Sequence, residues 1–68
     1  MRVFSERIKE LREEKGLSMV ALGKIIDVGS STICSWENNQ HDIKGDQLIL
    51  LARFFGVSTD YLLGLEND

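Results

Sequence analysis

Hydrophobic residues recur every three or four positions along most of the chain, and polar residues fill the positions between them. This spacing is typical of amphipathic α-helices, whereas no segment shows the period-two alternation of a half-buried strand. Gly16, Gly56 and Gly64 each precede an apolar residue, which is a common arrangement where a helix ends. Ser18 and Ser58 each precede an apolar-periodic stretch and are suited to cap a helix N-terminus. The pattern therefore predicts an all-α protein with five short helices, at residues 5–15, 19–26, 30–38, 45–55 and 59–63, and a short tail at 65–68.

Each predicted helix has one apolar face that should turn toward the core. Residues separated by three or four positions lie on the same face of a helix. Ile49, Leu50 and Phe54 are apolar residues of the fourth predicted helix that lie off its inward face. The expected inward residues are Phe4, Ile8, Leu11, Ala21, Leu22, Ile25, Ile33, Trp36, Leu48, Leu51, Ala52 and Phe55.

The composition describes a small single domain that must be stabilised by helix packing. The 68 residues include one cysteine and one histidine, so we expect neither an internal disulfide nor a structural zinc site. Cys34 is expected to be a half-buried filler in a reducing cytoplasm, because no secretory signal and no apolar run of roughly 18 residues is visible. Eleven acidic side chains against eight basic ones give a net charge of −3, which disfavours binding to nucleic acid by charge alone.

No constellation of residues indicates catalysis. The single histidine, His41, lies in a predicted loop, and no phosphate loop, nucleophile elbow or set of metal ligands appears. A helical domain of this length is also too small for a ligand pocket of ordinary size. The sequence therefore predicts a binding protein rather than an enzyme, with no cofactor, metal, small-molecule substrate or membrane segment.

The second and third predicted helices are joined too tightly to pack side by side. Only Asp27, Val28 and Gly29 separate them, and a turn of this length sets two helices at a steep angle, as in the helix-turn-helix motif. Gly23 is small enough to let the two helices approach closely. The segment 17–37 is therefore the strongest functional signal in the chain.

Motifs of one known family extend from Phe4 to Gly64, at residues 21–24, 36–37, 45–48 and 57–64. In these motifs the chain resembles the Cro/repressor-type (xenobiotic-response-element-like) helix-turn-helix family, and it is most similar to the DNA-binding domains of lambdoid-phage repressors. The resemblance implies a compact five-helix, lambda-repressor-like domain with the motif at helices 2–3. It also implies a cytoplasmic transcriptional regulator of bacterial or phage origin. Such a repressor binds a pseudo-palindromic operator in double-stranded DNA as a homodimer.

The resemblance makes helix 3 the recognition helix, which enters the major groove with its N-terminus first. The family often has Gln, Asn or Arg at the positions that contact bases, and hydroxyl groups discriminate less between bases than those side chains do. Direct readout should therefore be modest, and the alternative is that these residues form only a polar first turn. The expected base contacts are Ser30, Ser31, Thr32 and Ser35.

The resemblance also implies phosphate contacts at helix N-termini and at nearby polar side chains. Met19 stands where the family commonly has Gln, so one side-chain contact is expected to be lost. Lys24 is either a contact or a solvated lysine. The candidate phosphate contacts are Ser18, Met19, Lys24, Asn38, Asn39, Gln40 and Lys44.

Arg12 and Glu37 match a pair that braces the recognition helix in the family. The alternative is two exposed charges, which contribute roughly 0–1 kcal/mol.

Two turn positions depart from the family, since Asp27 replaces the usual glycine and Gly29 replaces a serine-type cap. Asp tolerates the left-handed region and Gly is an acceptable cap, so the motif should survive both changes with some loss of stability.

Helices 4 and 5 carry more apolar surface than a core of this size needs. We expect a dimer patch at Leu50, Phe54, Tyr61 and Leu65, through which two weak half-site contacts would combine.

Two alternatives to a dimeric DNA-binding repressor remain open. One is a protein-binding module on a helix-turn-helix scaffold with weak or no DNA affinity, which the absence of Lys and Arg between residues 27 and 39 favours. The other is the N-terminal DNA-binding part of a larger repressor.

Overall fold

The computed structural model describes residues 2–66, and the last two residues of the predicted tail lie outside this range. The predicted all-α fold is confirmed, with no strand among the described residues. No helix in this range is long and apolar enough to cross a membrane. The bounds of the second, fourth and fifth helices coincide with the predicted ones. The helices are α1 Arg2–Glu14, α2 Met19–Ile26, α3 Ser30–Glu37, α4 Gly45–Phe55 and α5 Thr59–Leu63.

Helix α1 begins at Arg2 and ends at Glu14, so its predicted range of 5–15 was wrong at both ends. Ser5 lies inside the helix and is buried, and its hydroxyl donates to the backbone oxygen of Trp36 at 2.5 Å. The helix ends one residue early because Gly16, at φ +67, turns the chain out of it. The serine that the prediction placed at the start is thus an internal contact between α1 and α3.

Helix α3 ends at Glu37, one residue before its predicted end at 38. Asn38 is the C-cap, with φ −97 and ψ 10, and Asn39 follows in the left-handed region at φ +58. The amide of Gln40 then donates to the backbone oxygen of Ser35 at 2.8 Å. This arrangement satisfies a carbonyl at the end of the helix, as glycine does at other helix ends.

The core lies where α1, α2 and α3 meet the buried sides of α4 and α5. Phe4 and Trp36 pack edge to face at its centre, with ring centroids 6.3 Å apart. Leu11, Leu48 and Phe55, which were also expected inside, are partly buried and pack against this cluster. The buried apolar residues are Phe4, Ile8, Leu22, Ile26, Ile33, Trp36, Leu51, Ala52 and Leu62.

The inward face of α2 differs from the predicted one. Ile25 is 48% exposed, whereas its neighbour Ile26 is 5% exposed and belongs to the core. Two consecutive residues of a helix cannot both face the same way, and the rotation of α2 is set by Gly23, which is buried against the backbone of Val28. That contact turns Ile26 inward and leaves Ile25 in solvent.

Helices α1 and α5 bring the first and last described residues together. Gly64 is the C-cap of α5, and a Cβ atom added to it would lie 2.9 Å from Cγ1 of Val3. The guanidinium of Arg7 donates to the backbone oxygen of Tyr61 and, at 2.8 Å, to that of Glu66. The end of α5 is therefore fixed to α1 by both packing and hydrogen bonds.

Candidate nucleic-acid interface

The joint between α2 and α3 depends on one left-handed residue and one missing side chain. Asp27 has φ +62 and ψ 48, and the amide of Val28 donates to the backbone oxygen of Gly23 at 2.8 Å. A side chain at Gly23 would collide with the backbone oxygen of Val28. The chain can therefore turn within three residues and start α3 directly after Gly29. This residue has the extended geometry of an N-cap but offers no capping side chain.

Helix α3 has one buried face and one polar face. Ile33 and Trp36 are 0% and 2% exposed and fix the helix in the core. Ser30 and Ser31 are exposed at its first turn, whereas Thr32 and Ser35 are half-buried. Of the four expected base contacts, two are thus freely accessible and two lie at the edge of the accessible face. Cys34 is also half-buried and accepts a hydrogen bond from Nδ2 of Asn38 at 3.2 Å.

A buried ion pair joins α1 to the C-terminal end of α3. Nε of Arg12 lies 2.6 Å from Oε2 of Glu37, and its Nη2 lies 3.0 Å from Oε1. The third contact is from Nη1 of Arg12 to the backbone oxygen of Leu17, at 2.8 Å. The side chains of Arg12 and Glu37 are 11% and 3% exposed. The hydrogen bond that Arg12 donates to Glu37 outweighs burial and raises the pKa of Arg12, so the guanidinium keeps its charge.

The candidate phosphate contacts lie in four places. At the start of α2, Ser18 is the N-cap, and its hydroxyl accepts from the amide of Ala21 at 3.0 Å. Lys44 is the N-cap of α4 and makes no capping hydrogen bond through its side chain. Lys24 is exposed near the end of α2. Asn38, Asn39 and Gln40 are exposed in the turn that follows α3.

Met19 does not present its side chain to solvent as the other phosphate candidates do. It is half-buried and packs against the hydrophobic core. Only its backbone amide, at the first position of α2, remains suited to meet a phosphate. The site therefore combines helix N-termini, hydroxyls and amides with two lysines.

The four residues of the expected dimer patch differ in accessibility. Leu50 and Leu65 are 47% and 73% exposed. Phe54 is half-buried against Phe55 and under the ammonium group of Lys15, 5.4 Å from the ring centroid. Tyr61 is half-buried under the guanidinium of Arg7, 4.1 Å from its ring centroid. The freely exposed part of the expected patch is therefore Leu50 and Leu65. Ile49, which is next to Leu50 in sequence and was not included in the patch, is 46% exposed as well.

Sequence reasoning missed the roles of Ser5 and Arg7. Both donate to backbone oxygens on distant helices, and a backbone acceptor leaves no mark on the sequence. Metal binding finds no support among the described residues, where no three His, Cys, Asp or Glu side chains are grouped to hold an ion.

The helix-turn-helix family matches residues 8–62. The chain is 33% identical to an uncharacterised HTH-type transcriptional regulator, YobD, of Bacillus subtilis, over 97% of this chain and 59% of that protein. It is 41% identical to the HTH-type transcriptional regulator PrpR of Mycobacterium tuberculosis, over 88% of this chain and 13% of that protein. The chain thus spans little more than half of the first relative and a small part of the second.

A solved structure shares both the fold and the sequence pattern. The chain superimposes with a TM-score of 0.84 on the c2 repressor of Salmonella phage P22, crystallised in complex with a synthetic operator. The two are 31% identical, and the match covers 91% of this chain and 94% of the crystallised one.

Proposed function

The chain belongs to the helix-turn-helix family, and on that premise we propose that it is a sequence-specific DNA-binding regulator of transcription, of the repressor type. The observation that carries the proposal is the setting of α3. Ile33 and Trp36 anchor the helix in the core, the Arg12–Glu37 pair holds its C-terminal end, and its first turn is exposed. A rigid helix with an accessible polar N-terminal turn is what a major groove admits.

In this proposal α3 enters the major groove of double-stranded DNA with Ser30 and Ser31 in front. Each hydroxyl can donate or accept, so these residues can meet either kind of base edge. Thr32 and Ser35 follow at the rim of the accessible face, where they contact bases only if α3 lies deep in the groove. Short side chains favour such a close approach.

The phosphate contacts flank this helix. The amide of Met19 and the cap residue Ser18 present the N-terminus of α2, and Lys44 presents that of α4, where the positive end of the helix dipole favours an anion. Lys24 adds a charge on the exposed side of α2. Asn38, Asn39 and Gln40 contribute polar groups beyond the end of α3. These contacts would fix the register of α3 on the duplex without reading its sequence.

A homodimer completes the proposal. The patch of Leu50, Phe54, Tyr61 and Leu65, with its exposed part extended by Ile49, would pair two copies about a two-fold axis. Their recognition helices would then read half-sites one helical turn apart, about 34–36 Å. Occupying a pseudo-palindromic operator that overlaps a promoter of a bacterial or phage genome would block transcription.

Selection from a random pool of duplex DNA, at about 0.1 M salt where screening is appreciable, tests this function. Enrichment of a two-fold symmetric site with half-sites about 10–10.5 base pairs apart supports a dimeric operator-binding regulator. Enrichment of one unrepeated half-site supports DNA binding and contradicts the proposed dimer. No enrichment by a folded protein contradicts the proposed function.

A second candidate is a protein-binding module on the same scaffold. The exposed apolar side chains of Ile49 and Leu50, together with the lack of Lys and Arg in α3, favour it. A third is that the domain acts as the DNA-binding part of a longer regulator, since the matched relatives extend well beyond the matched region. The selection experiment separates the second candidate from the other two.

A further inference from the structure

Half of the basic side chains already have an interaction partner within the chain. Arg12 pairs with Glu37 between α1 and α3, and Arg7 binds the backbone at the end of α5. The ammonium group of Lys15 lies over the ring of Phe54, and Arg2 forms an exposed pair with Glu6 at 3.4 Å. These four account for half of the eight lysines and arginines of the chain.

The other four basic residues are unevenly placed. Lys24 and Lys44 belong to the elements that carry the candidate phosphate contacts. Lys9 lies on the exposed face of α1, and Arg53 lies in the last turn of α4, at the opposite end from Lys44. Helix α3 contains no basic residue at all.

Acidic side chains, which repel phosphate, lie on the same elements as the candidate phosphate contacts. Asp27 forms the turn between α2 and α3. Asp42 and Asp46 flank Lys44 in sequence, and Oδ1 of Asp46 accepts from the amide of Gln47 at 3.0 Å, in the first turn of α4. The start of α4 thus carries one lysine and two aspartates, and its net charge is negative, as is that of the whole chain.

We infer that this protein holds DNA mainly through uncharged donors, with only two cations per protomer, Lys24 and Lys44, at phosphates. The inference rests on the proposed function and specifies how the same surface works. Affinity for DNA of arbitrary sequence comes from cations that displace counterions, whereas hydroxyls and backbone amides displace none. The protein therefore distinguishes its operator from bulk DNA chiefly by binding bulk DNA very weakly.

The slope of log affinity against log salt concentration measures the number of phosphates that cations neutralise. For a dimer that neutralises four phosphates, the slope on the selected duplex is about −3.6, because each phosphate contributes about 0.9. Affinity then falls about 150-fold between 50 and 200 mM salt, whereas six to ten contacts give a fall of about 10³–10⁵.

The experiment titrates the full chain with the selected duplex and with a scrambled duplex of equal length at several salt concentrations. Lys24→Gln and Lys44→Gln should each make the dimer slope shallower by about 1.8, since each removes two contacts. Lys9→Gln is the matched control and should leave the slope unchanged. Ser31→Lys adds a cation to α3 and should raise affinity for the scrambled duplex and steepen its slope.

The outcomes separate the inference from the function on which it rests. A slope of about −5.4 or steeper on the selected duplex, which corresponds to six or more phosphates, overturns the inference while the DNA-binding function stands. An unchanged slope in both lysine variants overturns it as well. Failure to bind any duplex at 50 mM salt overturns the proposed function, and the inference with it.

Discussion

Arg12 and Glu37 form a two-pronged ion pair between α1 and α3, with N–O distances of 2.6 and 3.0 Å, at a site where both side chains are nearly buried. The same guanidinium binds the backbone of Leu17, just before α2 begins. One side chain therefore ties together the first three helices of the protein. Because the pKa of Arg12 is raised, the guanidinium stays charged at every pH up to the ordinary pKa of arginine, so alkaline pH removes this half of the pair only above that value.

Replacing Arg12 by alanine should lower the free energy of unfolding by about 3 kcal/mol, because it leaves the carboxylate of Glu37 buried without a partner. A core of this size gives only about 3–5 kcal/mol in total. Arg12→Ala should therefore be largely unfolded at urea concentrations at which the parent protein is still folded. Arg12→Lys keeps the charge but loses the second prong and should fall between the two. Arg2→Ala, which removes an exposed pair, is the control and should leave the midpoint in place. Equal midpoints for Arg12→Ala and the parent would contradict the bracing role.

Gly23→Ala should destabilise the protein by about 2 kcal/mol, because the added methyl group meets the backbone oxygen of Val28 and the turn must shift. Gly45→Ala introduces the same atom at the start of α4, where nothing lies within 4 Å. That variant should be as stable as the parent or slightly more so. Thermal unfolding followed by circular dichroism compares the two, and similar melting temperatures would argue against a close approach of α2 and α3.

Asp27→Gly should raise the free energy of unfolding by about 0.5 kcal/mol, because glycine adopts φ +62 without the steric cost that Asp27 meets there. Asp27→Ala should lower it by about 1 kcal/mol for the opposite reason. Chemical denaturation of the two variants gives the sign of each change. A loss of stability in Asp27→Gly would show that the aspartate side chain makes a compensating contribution at the turn.

Ser31→Ala and Ser35→Ala should change the DNA sequence that the protein prefers while leaving the melting temperature unchanged. Ser31 is exposed and should have the larger effect, and Ser35 is half-buried at the rim of the same face. Selection from a random duplex pool with each variant, compared with the parent, is the direct measurement. If both variants select the parental site with undiminished affinity, these hydroxyls do not contact bases.

Leu50→Glu should reduce self-association, because it places a charge in the apolar surface proposed to pair two copies. Ile25→Glu is a matched control on α2, since Ile25 and Leu50 are 48% and 47% exposed. Sedimentation equilibrium should show a weaker dimer for Leu50→Glu alone, with helical content retained in both. A parent that is monomeric at all concentrations, or an equal effect of both variants, would remove Leu50 from the interface.

Periodicity predicted the fold well because most helices here end at glycine or begin at a serine, and both signals are local. It failed where two adjacent residues compete for one position. Ile25 and Ile26 are equivalent in the sequence, and only the close approach at Gly23 decides that Ile26 faces inward. The start of α1 was misplaced because Ser5, a residue type common at helix ends, is used instead as a donor to Trp36.

The candidate site was predictable to a different degree. The register of Trp36 and Ile33 on a short helix indicated which residues of α3 face solvent, and Ser30 and Ser31 do so. The inward position of Met19 and the covering of Phe54 by Lys15 depend on where the helices lie in space. The contacts of Arg7 with the backbone of Tyr61 and Glu66 join opposite ends of the sequence, and no local pattern encodes them.

Because of those contacts and the packing of Val3 on Gly64, the start of α1 and the end of α5 lie next to each other. Neighbouring ends are the condition under which circularly permuted proteins keep their fold. The five helices could therefore be strung together in another order, with a short link from α5 to α1 and new ends in the exposed turn at residues 38–42, and still enclose the same core. The packing of this domain should therefore depend on which helices contact one another, and much less on their order along the chain.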